Sequence, residues 1–195
     1  MSLSVLMSVY FKEKPEYLEA CLQSLAAQTL KADELLLVED GKLTDELSLV
    51  INQYRELLNI VSVKLSRNSG LAVALNEGLK HCKHELVARM DSDDLALPKR
   101  FEKQVAEFLE DEYLDILGGF TQEISSDGVF GDIRTMPSTN EAIYKNLFAC
   151  PLVHPTVMYK KKSILNVGGY NPDLSRRQDY ELWFRCAQAG YKFKN

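Results

Sequence analysis

ELVARMDSDDLALPKRFEKQV, residues 85–105, contains an apolar run, a burst of acids and the start of a helix. Residues 85–91 are short and β-prone, and after Pro98 the residues Phe101, Val105, Phe108 and Leu109 recur at helical spacing. Between them Asp91, Asp93 and Asp94 crowd into four positions with no basic residue among them, where like charges repel. One carboxylate at such a turn is enough to cap a helix, and Asp94 is placed to do so. Three carboxylates call for a positive charge brought from elsewhere.

The same strand-then-helix rhythm precedes this stretch. Residues 3–10 form a β-prone run, and from Pro15 the residues Leu18, Cys21, Leu22 and Leu25 recur at helical spacing. ELLLVED (34–40) leads into a helical stretch holding Leu47, Ile51, Tyr54 and Leu58, and IVSVKLS (60–66) leads into GLAVALNEGLKHC (70–82). Four such units in a row predict an α/β fold with a mostly parallel, Rossmann-like sheet, right-handed crossovers and helices on both faces. Beyond about residue 114 the rhythm changes. LDILGGF and GVFGDIRT read as strands around the turn SSDG, STNEAIYKNLF as a helix, HPTVMYK as a strand and DYELWFRCAQAG as a last helix. The expected organisation is one domain in two halves, 1–113 and a mixed half 114–195. Because the chain stops at Asn195 soon after the Gly190 stop signal, it is expected to be part of a longer protein and incomplete at its C-terminus.

A net charge of −5 argues against nucleic acid as a partner, which needs Lys and Arg massed on one face. The short KEK (12–14) and KKK (160–162) read as solvated turns. Cys21, Cys82, Cys150 and Cys186 show no metal-site spacing and read as reduced, packed thiols of a cytoplasmic protein. No run approaches the roughly 20 apolar residues of a membrane helix, so any membrane contact is peripheral, at the inner face.

In open parallel sheets, ligands bind beyond the carboxyl ends of the strands. Ser8 and Tyr10 fall there after the first strand, Glu39 and Asp40 after the second, and Asp91 to Asp94 after the fourth. Asp40 alone reads equally well as a turn former. The D-x-D spacing suits a hard divalent cation, Mn2+ or Mg2+, with positions left for phosphate oxygens and water. A calcium loop, with Asp91, Asp93 and Glu102 at its first, third and twelfth positions, fails at Ala96, where the turn glycine belongs. A phosphatase reading fails because the first strand ends in SVYF, without an aspartate.

These pieces resemble the inverting nucleotide-sugar glycosyltransferases of family 2, which have the GT-A fold. The resemblance runs through SVLMSVYFKEKPEYLEACLQSLAAQTL, LLLVEDGK, NSGLAVALNEGL, ARMDSDDLALPKRFEKQV, HPTVMYKKKSILNVGGYNP and QDYELWFRCAQAGY, from near residue 3 to 191. It implies that residues 1–113 bind a nucleotide-sugar donor, with Ser8 and Tyr10 lining the nucleoside pocket, Tyr10 against the base, Asp40 on the base edge and Asp91 or Asp93 near the ribose and the cation. It implies Asp93 as first metal ligand, with Asp91 and Asp94 close behind, and Asp179 as general base. On the acceptor side it points to His154, Gln178 and Trp183, although a lone Trp is more often core and a His before Pro often only shapes a strand entry.

Two departures stand out. The family's usual Glu-Asp pair is Gln178-Asp179, and the Arg often found before the helix Asn is Leu75, with Arg67 a weak substitute. The implied activity is metal-dependent, inverting hexosyl or N-acetylhexosaminyl transfer, from a UDP-linked donor to a saccharide or lipid-linked acceptor, in polysaccharide biosynthesis. A non-catalytic nucleotide-binding or regulatory module is the alternative that Gln178 keeps open. A nucleotidyltransferase is disfavoured because SVYFKEKPE lacks the glycine-rich loop such an enzyme needs after strand one. Sugar identity, linkage and oligomeric state are not encoded in these motifs.

Overall fold

The computed structural model describes residues 1–125 and 127–195. Its first half alternates as the periodicity predicts: β1 (Leu3–Val9), α1 (Pro15–Ala26), β2 (Glu34–Glu39), α2 (Asp45–Tyr54), β3 (Ile60–Lys64), α3 (Leu71–His81), β4 (Leu86–Met90) and α4 (Arg100–Glu110). These four strands lie parallel in the order β3-β2-β1-β4. Pro15 starts α1 at its first position, where a missing N–H costs nothing, and Thr44 caps α2 by accepting from the Leu47 amide.

Strand alternation divides the core. Val5, Met7 and Val9 of β1 face α1, α2 and α4, meeting Leu22, Ile51, Phe101 and Phe108. Leu6, Leu36 and Val38 face the other way, onto Ala74, Leu75 and Leu79 of α3. Full burial of each such side chain contributes about 1.5–3 kcal/mol. Leu109, expected on the buried stripe of α4, is exposed. Gly78 of α3 is required by close approach, since a Cβ there would sit 2.4 Å from Leu6 and 2.7 Å from Val38.

The second half adds three strands to the same sheet and forms a separate two-stranded one. β5 (Leu114–Leu117) is followed by β6 (Thr121–Ile124) and β7 (Phe130–Arg134), an exposed two-stranded sheet, and then by α5 (Asn140–Lys145). β8 (Met158–Lys160) inserts antiparallel between β4 and β5, and β9 (Lys192–Lys194) pairs parallel to β5 at the edge. α6 (Lys161–Asn166) and α7 (Gln178–Gln188) bury Ile164, Leu182 and Trp183 against the sheet face that α3 covers.

Several expectations need correction. The strand expected over HPTVMYK is only Met158–Lys160, because His154–Thr156 closes a 3-10 turn in which the Thr156 amide and hydroxyl both donate to the Val153 carbonyl. LDILGGF and GVFGDIRT are strands only over Leu114–Leu117 and Phe130–Arg134, and the intervening β6 was not anticipated. α6 and β9 are further additions, β9 lying beyond the Gly190 stop. Lys99, not Asp94, precedes α4, and no side chain caps it. Ser126 of the SSDG turn lies outside the described residues.

The four cysteines are free, with Cys21, Cys82 and Cys186 buried. Among the described residues no helix is long and apolar enough to cross a membrane.

Candidate active site

The carboxyl ends of β1, β2 and β4 open into a cleft of about 310 Å³. Ser8, Tyr10, Asp40, Asp91 and Asp93, five residues singled out by strand-end position, line it together. Glu13, Asn68, Gly70, Leu71 and Ser92 complete the wall.

Asp40 is buried, and its carboxylate accepts from the Ser69 amide at 2.6 Å and the Gly70 amide at 3.0 Å. It thereby ties the end of β2 to the loop that starts α3. The same junction forces Gly41, whose φ is +85° and whose Cβ would lie 2.6 Å from the Asn68 nitrogen. Tyr10, 42% exposed, lies at the rim with its ring edge-on to Phe11. Ser92 donates its hydroxyl to Glu13, joining the acidic turn to the loop after β1. Glu13 belongs to KEK, read from sequence as a solvated turn; its burial is partial and its carboxylate faces the cleft wall.

The positive charge missing from the acidic turn lies beneath it. Arg89 of β4 is 1% exposed, and its Nη1 stands 2.5 Å from Asp91 Oδ1, an ion pair without hydrogen-bond alignment. Arg100 of α4 donates from Nη2 to the Arg89 carbonyl at 2.8 Å. Burial, then the neighbouring Arg89, pushes Arg100 down to about 10, so it stays charged at neutral pH. Both arginines were overlooked in the sequence: Arg89 because it sits inside an apolar strand, Arg100 because it belongs to a helix start.

The three aspartates are not equivalent. Asp93 is exposed toward the cleft, and desolvation followed by the charges of Asp91 and Glu13 raises its carboxyl above the ordinary range. Asp94 does not line the cleft. It sits on the inner side of the turn, where its charge is felt by Cys21 and Arg100, and desolvation plus Asp91 and Asp93 push it up to about 6.

Among the described residues no three His, Cys, Asp or Glu side chains form a ready-made metal cage. Mg2+ and Mn2+ of phosphate-handling sites are commonly held by one or two carboxylates, with substrate phosphate and water filling the rest. Asp91 and Asp93, hard oxygen donors that repel each other across one turn, fit that demand. Asp94 is set apart from them.

The acceptor-side candidates occupy a neighbouring region and do not line this cleft. Asp179 is the second residue of α7, after Arg177 in the left-handed conformation at φ 58°, and its Oδ2 is 4.0 Å from Cys150 Sγ. Gln178 is buried with Oε1 unpartnered. His154 packs edge-on against Tyr170 and Trp183, with Nε2 2.9 Å from the Tyr170 hydroxyl. Burial and then the Arg89 charge hold it well below the usual histidine range, so it is neutral at neutral pH. Trp183 is fully buried in the core, which is the structural alternative to lining a sugar site. Leu75 is likewise core, and Arg67 is exposed.

The family profile described as glycosyl transferase family 2 matches residues 4–168. An uncharacterized glycosyltransferase of Haemophilus influenzae is 43% identical over all of this chain and 73% of its own length. A UDP-Gal:alpha-D-GlcNAc-diphosphoundecaprenol beta-1,3-galactosyltransferase of Escherichia coli is 38% identical over 96% of this chain and 68% of its own. Among solved structures, S. aureus TarS 1-349 in complex with UDP-GlcNAc superposes with a TM-score of 0.77 at 24% identity, covering 100% of this chain and 55% of TarS 1-349. A mannosyltransferase of Pyrobaculum calidifontis in complex with GDP-Man and Mn2+ gives 0.73 at 18% identity, over 99% of this chain and 54% of that one. These two likenesses establish the GT-A fold. The chain spans little more than half the length of those two solved structures.

Proposed function

This chain belongs to glycosyl transferase family 2, and from that premise we propose that it moves a sugar from a UDP-linked donor to a saccharide or lipid-linked hydroxyl, with inversion and with help from Mn2+ or Mg2+. The observation that carries the reading is the meeting of Ser8, Tyr10, Asp40, Asp91 and Asp93 in one cleft at the carboxyl ends of β1, β2 and β4. The relative from E. coli, named for a UDP-Gal donor and a diphosphoundecaprenol acceptor, supports the donor and acceptor classes. A lipid-linked acceptor would place the reaction at the cytoplasmic face of a membrane, with the protein attached peripherally.

In this reading residues 1–113 hold the donor and residues 114–195 form the acceptor side. Tyr10 stacks on the base, Ser8 lines the nucleoside pocket, and Asp40, already anchored by two amides, offers its remaining lone pairs to the base edge. Asp93, with Asp91 behind it, holds the divalent cation, which when bound supplies Lewis-acid stabilisation of charge developing on the diphosphate. Asp179 accepts the proton of the attacking acceptor hydroxyl, and attack from the face opposite the leaving group inverts the anomeric centre. His154, neutral and bonded to Tyr170, supports the wall of the acceptor side, and the buried Gln178 occupies the position of the missing carboxylate.

Isothermal titration with UDP and Mn2+, followed by a donor-turnover assay with a polyprenyl-diphosphate saccharide as acceptor, tests the proposal. Metal-dependent UDP binding with transfer by the wild type, and retained binding without transfer in Asp179→Asn, are expected. Binding without any transfer by the wild type would favour a nucleotide-binding module, and an active Asp179→Asn would point to another base.

A further inference from the structure

Arg89 is an expensive residue where it stands. The other residues of β4, Leu86, Val87, Ala88 and Met90, are apolar and buried, so an apolar side chain would serve the sheet at lower cost. Arginine stays charged when buried, and the effective penalty for taking such an ion out of water is several kcal/mol. Hydrogen bonding does little to offset that penalty: among the described residues Nε has no acceptor, and Nη1 meets Asp91 as an ion pair without hydrogen-bond alignment. Its neighbours on the acceptor side are uncharged: His154 is held neutral, and burial raises the Tyr170 phenol. Among the described residues its one ion-pair partner is Asp91, at 2.5 Å.

We propose that Arg89 is a positioning residue that divides roles within the acidic turn: it neutralises Asp91 from beneath and so leaves Asp93 as the carboxylate free to meet a divalent cation. The inference deepens the proposed function and rests on its metal-binding reading. The backbone carries the same division. Asp91 accepts from Cys21 Sγ through its carbonyl, 3.2 Å away, and so is pinned against α1. Asp93 is the exposed member of the turn and lines the cleft. With Glu13 bonded to Ser92 close by, the carboxylates outnumber the two guanidiniums, and the surplus negative charge faces the cleft.

The sign of the expected effect separates this role from a purely structural one. Removing a cation that occupies Asp91 frees a second carboxylate for metal, so Arg89→Gln should bind Mn2+ more tightly in the absence of nucleotide, by about three- to tenfold, the size of a partly screened charge interaction. Arg89→Lys keeps the charge and should stay within about twofold of wild type. Free Mn2+ measured by electron paramagnetic resonance reads these affinities directly, with no need for turnover. A comparison that leaves Arg89 in place guards against poor folding of the Gln variant: Asp91→Asn should weaken Mn2+ binding by only about two- to threefold, and Asp93→Asn should weaken it about tenfold or more. Unchanged or weaker Mn2+ binding by folded Arg89→Gln, or equal losses in the two Asn variants, would overturn the division of roles while leaving the metal site intact. A wild-type chain that takes up no Mn2+, with or without UDP, would overturn the metal reading and this inference with it.

Discussion

The Asp40 carboxylate grips the Gly70 amide at 3.0 Å, with its second oxygen on the amide of Ser69. Two elements that are 30 residues apart in sequence thus share one wall of the cleft. Asp40→Asn replaces an acceptor-only group with one that must turn an NH2 toward a donor. A loss of about 1–3 kcal/mol in urea unfolding is expected, together with weaker UDP binding by titration.

Asp93→Ala should reduce sugar transfer about a hundredfold or more, the scale of removing a main electrostatic stabiliser of a leaving group. Metal-dependent UDP affinity should fall with it, and metal-independent affinity should hold. Initial rates and titrations with and without EDTA check the split.

Asp94 makes stability depend on pH in a stated direction. Its folded carboxyl holds a proton up to about 6, against an ordinary value of 3.8. Its contribution is therefore full below about pH 4, is lost as pH rises toward 6, and stays lost above that. Asp94→Asn should flatten this window and stabilise the metal-free chain at pH 7 by about 1–2 kcal/mol, given a carboxylate partly open to water. Denaturation of wild type and variant at pH 4 and pH 7 in EDTA measures the difference.

Gly78→Ala sets helix propensity against packing. Alanine favours the helix by about 1 kcal/mol, but its methyl would press into Leu6 and Val38. Overpacking prevails because both neighbours are core residues on two central strands, and a net destabilisation of about 1–3 kcal/mol is expected in urea titration.

The first four strands and helices were legible because each buries one face at a regular period, and the cleft followed because strand ends are where that architecture gathers polar groups. The second half was less so. β9 and α6 are short, with Phe193 and Ile164 among their few buried apolar residues, too little for a periodic signal. Thr156 folded the expected strand entry at His154 into a turn through a local hydroxyl bond. Within the site, the acids could be read and their counter-ion could not: Arg89 occupies an inward position of a strand whose pattern predicts an apolar residue, and only its ion pair with Asp91 and the placement of His154 and Tyr170 near it show a charge being kept there. Glu13 was hidden by two lysines that made its tripeptide look like surface.

The antiparallel insertion of β8 has a consequence for how the chain reaches this state. β4 pairs with Met158, Tyr159 and Lys160, so during synthesis its open flank, carrying a guanidinium on one face, must wait until some seventy further residues have emerged. Until then that flank is an unpaired strand edge of the kind that recruits other chains. Ribosome-released fragments ending before β8 should accordingly be the aggregating species, and the slow step of refolding should be the threading of that late strand into the sheet's middle.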